Sequence, residues 1–250
     1  MKSFIVLILA GLAICQNSPL PTNIGILLFP GFQPLDVIGP LDVFNALSIQ
    51  RHIHTFFISS SSSPVPFGAY TIPWFTPTGN FSSKLEGSFV PSYAFDNAPS
   101  MDVLIVPGGI GTRAPSPILD ETIRFLKDVY PKLAYLMTVC TGSGIAARAG
   151  VLDGRSATTN KLAWAQTIAL GPKVKWVAEA RWVKDGNIWS SSGVSAGIDV
   201  AVAFVTEVYS EAAAVKVTNM LEYERHSNAS DDPFAKLYGL TNENNSTNQK

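Results

Sequence analysis

The stretch LMTVCTGSG, residues 136–144, places Cys140 between an apolar run and a turn of small residues. Read as strand, turn and helix start, this is the layout of a nucleophile elbow with sulfur as the reactive atom. Gly142, Ser143 and Gly144 are small enough for the sharp bend such a turn requires. A thiol at a helix N-terminus meets positive partial charge and free N–H donors, and both favour thiolate. The bland alternative is a buried structural cysteine, since free cysteine is among the most buried residue types.

Three other stretches could supply chemistry. VPGGIG, residues 106–111, ends an apolar run with glycines, so Gly108, Gly109 and Ile110 could bring backbone N–H groups to a developing negative charge. It is no dinucleotide loop: the G-x-G-x-x-G spacing is missing, and Pro115 and Pro117 interrupt the helix that should follow. GFQPLDVIGP, residues 31–40, holds Asp36 among apolar residues. A carboxylate there needs a partner, or serves to cap a helix from Leu41 onward. GVSAG, residues 193–197, matches the serine-hydrolase pattern with Ser195 as nucleophile. The histidine expected downstream is His226, and Asp231 and Asp232 come after it, so the triad order fails. Close packing of a buried helix is the preferred reading of those small residues.

The elements that must position these groups alternate between strand and helix. Strands are expected at 23–29, 54–58, 102–106 and 134–139, and helices at 41–47, 121–129, 143–149, 162–170, 198–209 and 212–223. An Asp-Gly turn joins Trp182–Val183 to Ile188–Ser190 as a hairpin. Residues 59–100, rich in Ser, Pro and Gly, read as a long surface loop with short hairpin strands near Tyr70–Ile72 and Ser88–Val90. From Glu224 the chain is polar and reads as a loosely held tail. The alternation predicts an α/β fold, a mostly parallel sheet with helices on both faces and its site at the strands' carboxyl ends.

The 250-residue chain is 46% hydrophobic and 15% charged with net charge −1, which suits one domain with a large core and gives no electrostatic attraction for nucleic acid. Residues 4–15, FIVLILAGLAIC after Lys2, resemble a signal peptide and are too short to span a bilayer. An uncleaved anchor or a first strand is the alternative. Cleavage before Gln16 would remove Cys15 and leave Cys140 as the lone thiol of a secreted protein with no stable membrane span. This divides the chain into a signal at 1–15, a domain at 16–225 and a tail at 226–250. Asn80, Asn228, Asn244 and Asn245 stand in glycosylation sequons, of which a Ser/Thr-rich chain forms about two by chance.

LLFPGFQPLDVIGPLDVF, DVLIVPGGIGT, TVCTGSGIAARAGVLDGRSATTN and SGVSAGIDVA together resemble, in order, the ThiJ/PfpI superfamily, with its class I glutamine amidotransferase-like fold. They are most similar to its isonitrile hydratase branch, in a secreted, fungal-type member. The resemblance covers most of residues 23–209. It implies a flavodoxin-like sandwich, a homodimer, a small-molecule substrate and neither metal nor organic cofactor. It makes Cys140 the nucleophile and Asp36 the carboxylate beside it, where many relatives carry Glu. Gly108, Gly109, Ile110, Thr141, Gly142 and Asn160 would line the pocket, with the N–H groups of Gly109 and Thr141 near developing charge. The implied reaction is attack of the thiolate on the terminal carbon of an isonitrile, with Asp36 shuttling the proton and water releasing an N-substituted formamide.

The chain departs from the family pattern at several points. Thr141 follows the cysteine where peptidase-like relatives have His, which removes a Cys–His dyad. Asn160 stands where the bacterial hydratases commonly carry His, and loop 59–100 is longer. Regulators of the family add a DNA-binding helical domain, where this chain continues as a short polar tail. The alternatives are a glyoxalase- or deglycase-like enzyme acting on small dicarbonyls and a redox-sensing thiol protein without catalysis.

Overall fold

The computed structural model describes residues 19–67, 72, 74 and 86–240. In chain order the elements are β1 (Asn23–Leu27), α1 (Pro34–Ser48), β2 (His54–Ser59), β3 (Val65–Pro66), β4 (Ser88–Phe89), β5 (Tyr93–Ala94), β6 (Val103–Val106), α2 (Asp120–Val129), β7 (Tyr135–Thr138), α3 (Gly142–Arg148), β8 (Ser156–Ala157), α4 (Trp164–Ile168), β9 (Lys175–Trp176), β10 (Trp182–Asp185), β11 (Ile188–Ser191), α5 (Ala196–Phe204), α6 (Glu211–Met220) and α7 (Pro233–Leu237). A π-helical turn, Val205–Tyr209, extends α5.

Seven strands form the main sheet in the order β10-β11-β7-β6-β1-β2-β5. Every neighbouring pair is parallel except the β10–β11 hairpin. The central strands are apolar throughout: VLIV in β6 is fully buried, as parallel strands covered on both faces must be. Helices α1, α5 and α6 pack on one another, and α3 packs on both α2 and α4, two groups arranged around the sheet. This is the mostly parallel α/β sheet with helices around it that the alternating pattern predicts, in the flavodoxin-like sandwich that the family resemblance implies.

Helix α1 starts seven residues earlier than the expected Leu41, at Pro34. Proline is favoured in a first helical turn because its missing N–H has no helical acceptor there. A Gly-Pro pair such as Gly39-Pro40 commonly ends a helix. The helix runs through it because Pro40 removes only the N–H that would bond the Asp36 carbonyl. Tertiary packing of α1 on α5 offsets the loss. In the long loop, Ser88–Phe89 is a strand but pairs with Val65–Pro66. Tyr70 lies outside the described residues, as do the 1–15 leader, Asn80, Asn244 and Asn245. Asn228 is exposed. Among the described residues no helix is long and apolar enough to cross a membrane.

The tail after Glu224 is polar, as expected, but not loose. Asp232 is buried, pairs with Lys161 at 3.2 Å and caps α7 through the Phe234 N–H at 3.0 Å. Sequence inspection does not find this anchor because its partners lie far away in the chain.

Candidate active site

Four adjacent strands, β11, β7, β6 and β1, bring their carboxyl ends together. After β7 comes Cys140, after β6 the glycines, after β1 the first turn of α1 with Asp36, and after β11 the Ser192–Ser195 loop. The site therefore occupies the position a parallel sheet dictates.

Cys140 has φ +57°, in the left-handed region that non-glycine residues avoid. Such a conformation costs on the order of 1–3 kcal/mol and persists only where its surroundings hold it. Here they do. The Cys140 N–H donates to the Ser192 carbonyl at 3.0 Å. Its carbonyl accepts from Thr159 Oγ1 at 2.9 Å and Ser143 Oγ at 3.2 Å. The turn can close only on glycine at 142, where a Cβ would stand 2.2 Å from the Val106 carbonyl oxygen. The elbow anticipated from LMTVCTGSG is present.

Asp36 is fully buried, and its Oδ2 accepts from the Gly108 N–H at 2.8 Å. The Cys140 thiol is the other group that meets this carboxyl. Burial raises the Asp36 pKa to about 7, against smaller opposing effects of Gly108 and Cys140. Its Oδ1 makes no hydrogen bond. A buried anionic oxygen without a donor is costly, which is in keeping with the raised pKa of this carboxyl.

Burial also pushes the Cys140 thiol up to about 12, with the Asp36 charge as the second cause. Three donors oppose this: the Val194 N–H, the Thr141 N–H and the Asn160 side-chain amide. The sequence suggested a thiolate stabilised by a helix start. Desolvation and the neighbouring carboxylate outweigh that local effect, so the thiol keeps its proton well past neutral pH while the carboxyl beside it gives its own up first.

The glycine loop departs from its expected role. The Gly109 N–H is taken by Thr141 Oγ1 at 3.0 Å and the Gly108 N–H by Asp36, so neither is free for a substrate. Thr112 Oγ1 donates to the Gly109 carbonyl at 2.8 Å and lies 3.1 Å from Thr141 Oγ1, which ties the two loops together. Gly108 is required for this approach, since a Cβ would stand 2.6 Å from the Thr141 nitrogen and 2.9 Å from Asp36 Oδ2. The Gly142 N–H closes the elbow on Val139 at 2.9 Å. Ile110 opens a tight turn that packs against Gly31. The loop positions Asp36 and Thr141, while the donors that meet sulfur come from Thr141, Asn160 and Val194.

Val194, with φ +23°, escaped sequence reading, as did Ser192 and Thr159. The repeated threonines before Asn160 were the one visible hint. Ser195 is exposed, and its Oγ accepts from Arg181 Nη2 at 3.2 Å. Asp199 does follow Ser195 in triad order, which corrects the expectation from Asp231 and Asp232, and it lies 3.3 Å from His226 Nδ1. A guanidinium, which cannot accept a proton, stands between Asp199 and Ser195, so no serine relay forms. The small residues serve packing instead, with Gly197 set closely against Val139.

A cavity of about 250 Å³ is lined by Asn160 and Val194, two of the residues that donate to the thiol, together with Leu162, Gly193, Phe234 and Tyr238 among others. Among the described residues no cluster of His, Cys, Asp or Glu is arranged to hold a metal ion.

Known proteins share this arrangement of sequence and fold. An isonitrile hydratase from Pseudomonas putida is 32% identical over 204 residues, 80% of this chain and 78% of that enzyme. The HTH-type transcriptional regulator GbdR of Pseudomonas aeruginosa is 29% identical over 214 residues; the match spans 84% of this chain and about half, 53%, of the regulator. A crystal structure of a ThiJ/PfpI family protein from Pseudomonas syringae superposes with TM-score 0.67 at 25% identity, covering 91% of this chain and 87% of that one. The model of the DJ-1/PfpI family matches residues 22–207, which include every strand of the main sheet together with Asp36, Cys140 and Asn160, and the chain belongs to that family.

Proposed function

We propose that the protein is a cysteine-dependent hydratase that converts an isonitrile and water into an N-substituted formamide. The observation that carries this reading is the buried Cys140–Asp36 pair, a thiol set against a carboxyl that the Gly108 N–H holds in place, both with raised pKa. The similarity to an isonitrile hydratase supports the choice of substrate class.

Isonitrile hydration needs such a pair. Sulfur bonds to the terminal carbon while the shared proton is delivered to that same carbon through Asp36, giving a thioimidate. The Asp36 carboxylate then takes a proton from water as its oxygen adds to the carbon, and passes it to nitrogen. Collapse of the adduct forms the C=O bond, breaks the C–S bond and returns one proton to the pair. Negative charge on sulfur is met by Val194, Thr141 and Asn160.

A redox-sensing role fits less well. Sensor thiols are exposed and of low pKa, whereas Cys140 is 5% exposed and pushed up to about 12. Dicarbonyl chemistry could use the same pair, so substrate comparison decides between the two enzymes. The test is formamide formation from a simple alkyl isonitrile, with Cys140→Ser and Asp36→Asn in parallel. Turnover by the wild type and its loss in both variants is the expected result; turnover of methylglyoxal alone would replace the isonitrile reading. The leader at residues 4–15 carries a separate proposal of entry into the secretory pathway, tested by N-terminal sequencing of the exported protein.

A further inference from the structure

The family match ends at residue 207, yet the chain closes its candidate site with a segment beyond it. Asp232 is the anchor. Its side chain is wholly buried. Oδ2 accepts from Ser192 Oγ at 2.9 Å and pairs with Lys161 Nζ at 3.2 Å, while Oδ1 takes the Phe234 N–H at 3.0 Å.

Both partners lead to Cys140. Ser192 accepts the Cys140 N–H through its carbonyl. Lys161 Nζ donates to the Thr159 carbonyl at 3.1 Å, and Thr159 Oγ1 holds the Cys140 carbonyl. Lys161 also donates to Thr158 Oγ1 at 2.7 Å and to the Ala180 carbonyl at 3.0 Å, so its ammonium is saturated and works as a clamp. Two hydrogen-bonded routes thus run from one tail carboxylate to the two ends of the nucleophile's own residue.

The same anchor fixes α7. Phe234 on α7 and Tyr238 at its C-cap, four residues apart, line the 250 Å³ cavity. Asn160, Gly193 and Val194 form the side nearest the thiol. Phe234 and Tyr238 are 45% and 44% exposed, so they make a wall open to solvent along one edge. With Leu162 and Val194 they give it an apolar lining, while the amide of Asn160 and the N–H of Val194 serve the sulfur. Pockets for drug-sized ligands run to roughly 300–1,000 Å³, so this one suits a single small apolar group.

We propose that Asp232–Tyr238 is a specificity-determining wall: Phe234 and Tyr238 receive an apolar substituent of the substrate, and Asp232 is the positioning residue that holds them beside Cys140. This rests on the hydratase reading for the identity of the substrate, in which the substituent is the carbon group on the isonitrile nitrogen. The wall itself does not depend on that reading: it rests on a cavity that shares Asn160 and Val194 with the thiol's donors, and it requires that a reagent reach Cys140 from that side.

The test uses the full chain in two assays. In the first, Cys140 is alkylated by iodoacetamide or by N-benzyl iodoacetamide, and the rates are read from the mass of the Cys140 peptide. In the second, methyl and cyclohexyl isonitrile are compared as substrates. Phe234→Ala and Tyr238→Ala should each lower the benzyl-to-plain alkylation ratio by about fivefold and raise KM for cyclohexyl isonitrile by about tenfold, with methyl isonitrile changed less than about twofold. Asp232→Asn should shift the same ratio and also lower kcat, and Asp232→Glu should recover part of both. Unchanged ratios in folded Phe234→Ala and Tyr238→Ala overturn the wall, whatever Asp232→Asn does to folding. A wild type that turns over no isonitrile but whose alkylation ratio responds overturns the hydratase reading and leaves the wall standing.

Discussion

The Gly108 N–H donates to Asp36 Oδ2 at 2.8 Å, and this single bond orients a carboxyl contributed by α1 toward a thiol that follows β7. It leaves Oδ1 without a donor, in keeping with an acid that holds its proton to about pH 7. Between that value and about 12 the pair holds one proton, a thiol beside a carboxylate, which is the state the proposed addition step uses. The value of kcat/KM for an isonitrile should therefore rise through about pH 7 and stay level well into the alkaline range. In Asp36→Asn turnover should fall by about 10²-fold or more, because the proton carrier is gone. The Cys140 thiol should at the same time titrate at lower pH, because the neighbouring negative charge is gone. A pH profile of kcat/KM and a titration of Cys140 alkylation check both; a thiol pKa that rises in Asp36→Asn would contradict the electrostatic account.

The same carboxyl sets a pH dependence of stability. Its folded pKa of about 7 exceeds the ordinary value of 3.8, so between these values the folded state holds a proton that the unfolded chain has released. Stability from this group is fully present below about pH 4 and is lost as pH rises through about 7. Asp36→Asn removes the buried charge and should stabilise the fold at pH 8 by on the order of 1–3 kcal/mol, with little effect near pH 4. Denaturant unfolding of both proteins at the two pH values measures the difference.

Gly142 is the tightest point of the elbow. A Cβ there would stand 2.2 Å from the Val106 carbonyl oxygen and 2.7 Å from that of Pro107, both of them backbone atoms. Neither neighbour can swing aside as a side chain would, so Gly142→Ala must shift the turn. It should lower stability by about 2–3 kcal/mol, or on the order of 4–12 °C in Tm for a domain of this size. It should also reduce Cys140 alkylation, because the φ +57° conformation depends on that turn. Calorimetry together with alkylation rates tests both effects.

The parts of the site that were legible from residues alone are those governed by local chemistry. A strand followed by Thr-Gly-Ser-Gly announces the elbow at Cys140, and an aspartate among apolar residues announces the buried partner at Asp36. The alternation of strands and helices announces the sheet. What stayed hidden is governed by distance in the chain. The Val194 N–H reaches sulfur only because β11 pairs with β7. Asp232 matters only because folding sets it against Ser192 and Lys161. The ionisation of Cys140 is hidden for the same reason: the helix start is visible locally, whereas the burial and the Asp36 charge that outweigh it are not.

Asp199 carries the most heavily partnered charge outside the thiol site. Arg181 grips it through Nε at 2.9 Å and Nη2 at 2.8 Å, Tyr223 donates at 2.7 Å and the His226 N–H at 3.2 Å. Both charged side chains are buried, so removing one strands the other away from water. Arg181→Met should cost about 3–5 kcal/mol, while Arg181→Met combined with Asp199→Leu should recover most of that loss. The buried charge is then absent on both sides, although Tyr223 loses its acceptor and keeps a smaller penalty. Thermal unfolding of the two single variants and the double variant forms a cycle that reads the coupling directly. A double variant no more stable than Arg181→Met alone would mean that the Tyr223 and His226 contacts to Asp199, rather than the ion pair, hold α5 to the segment after α6.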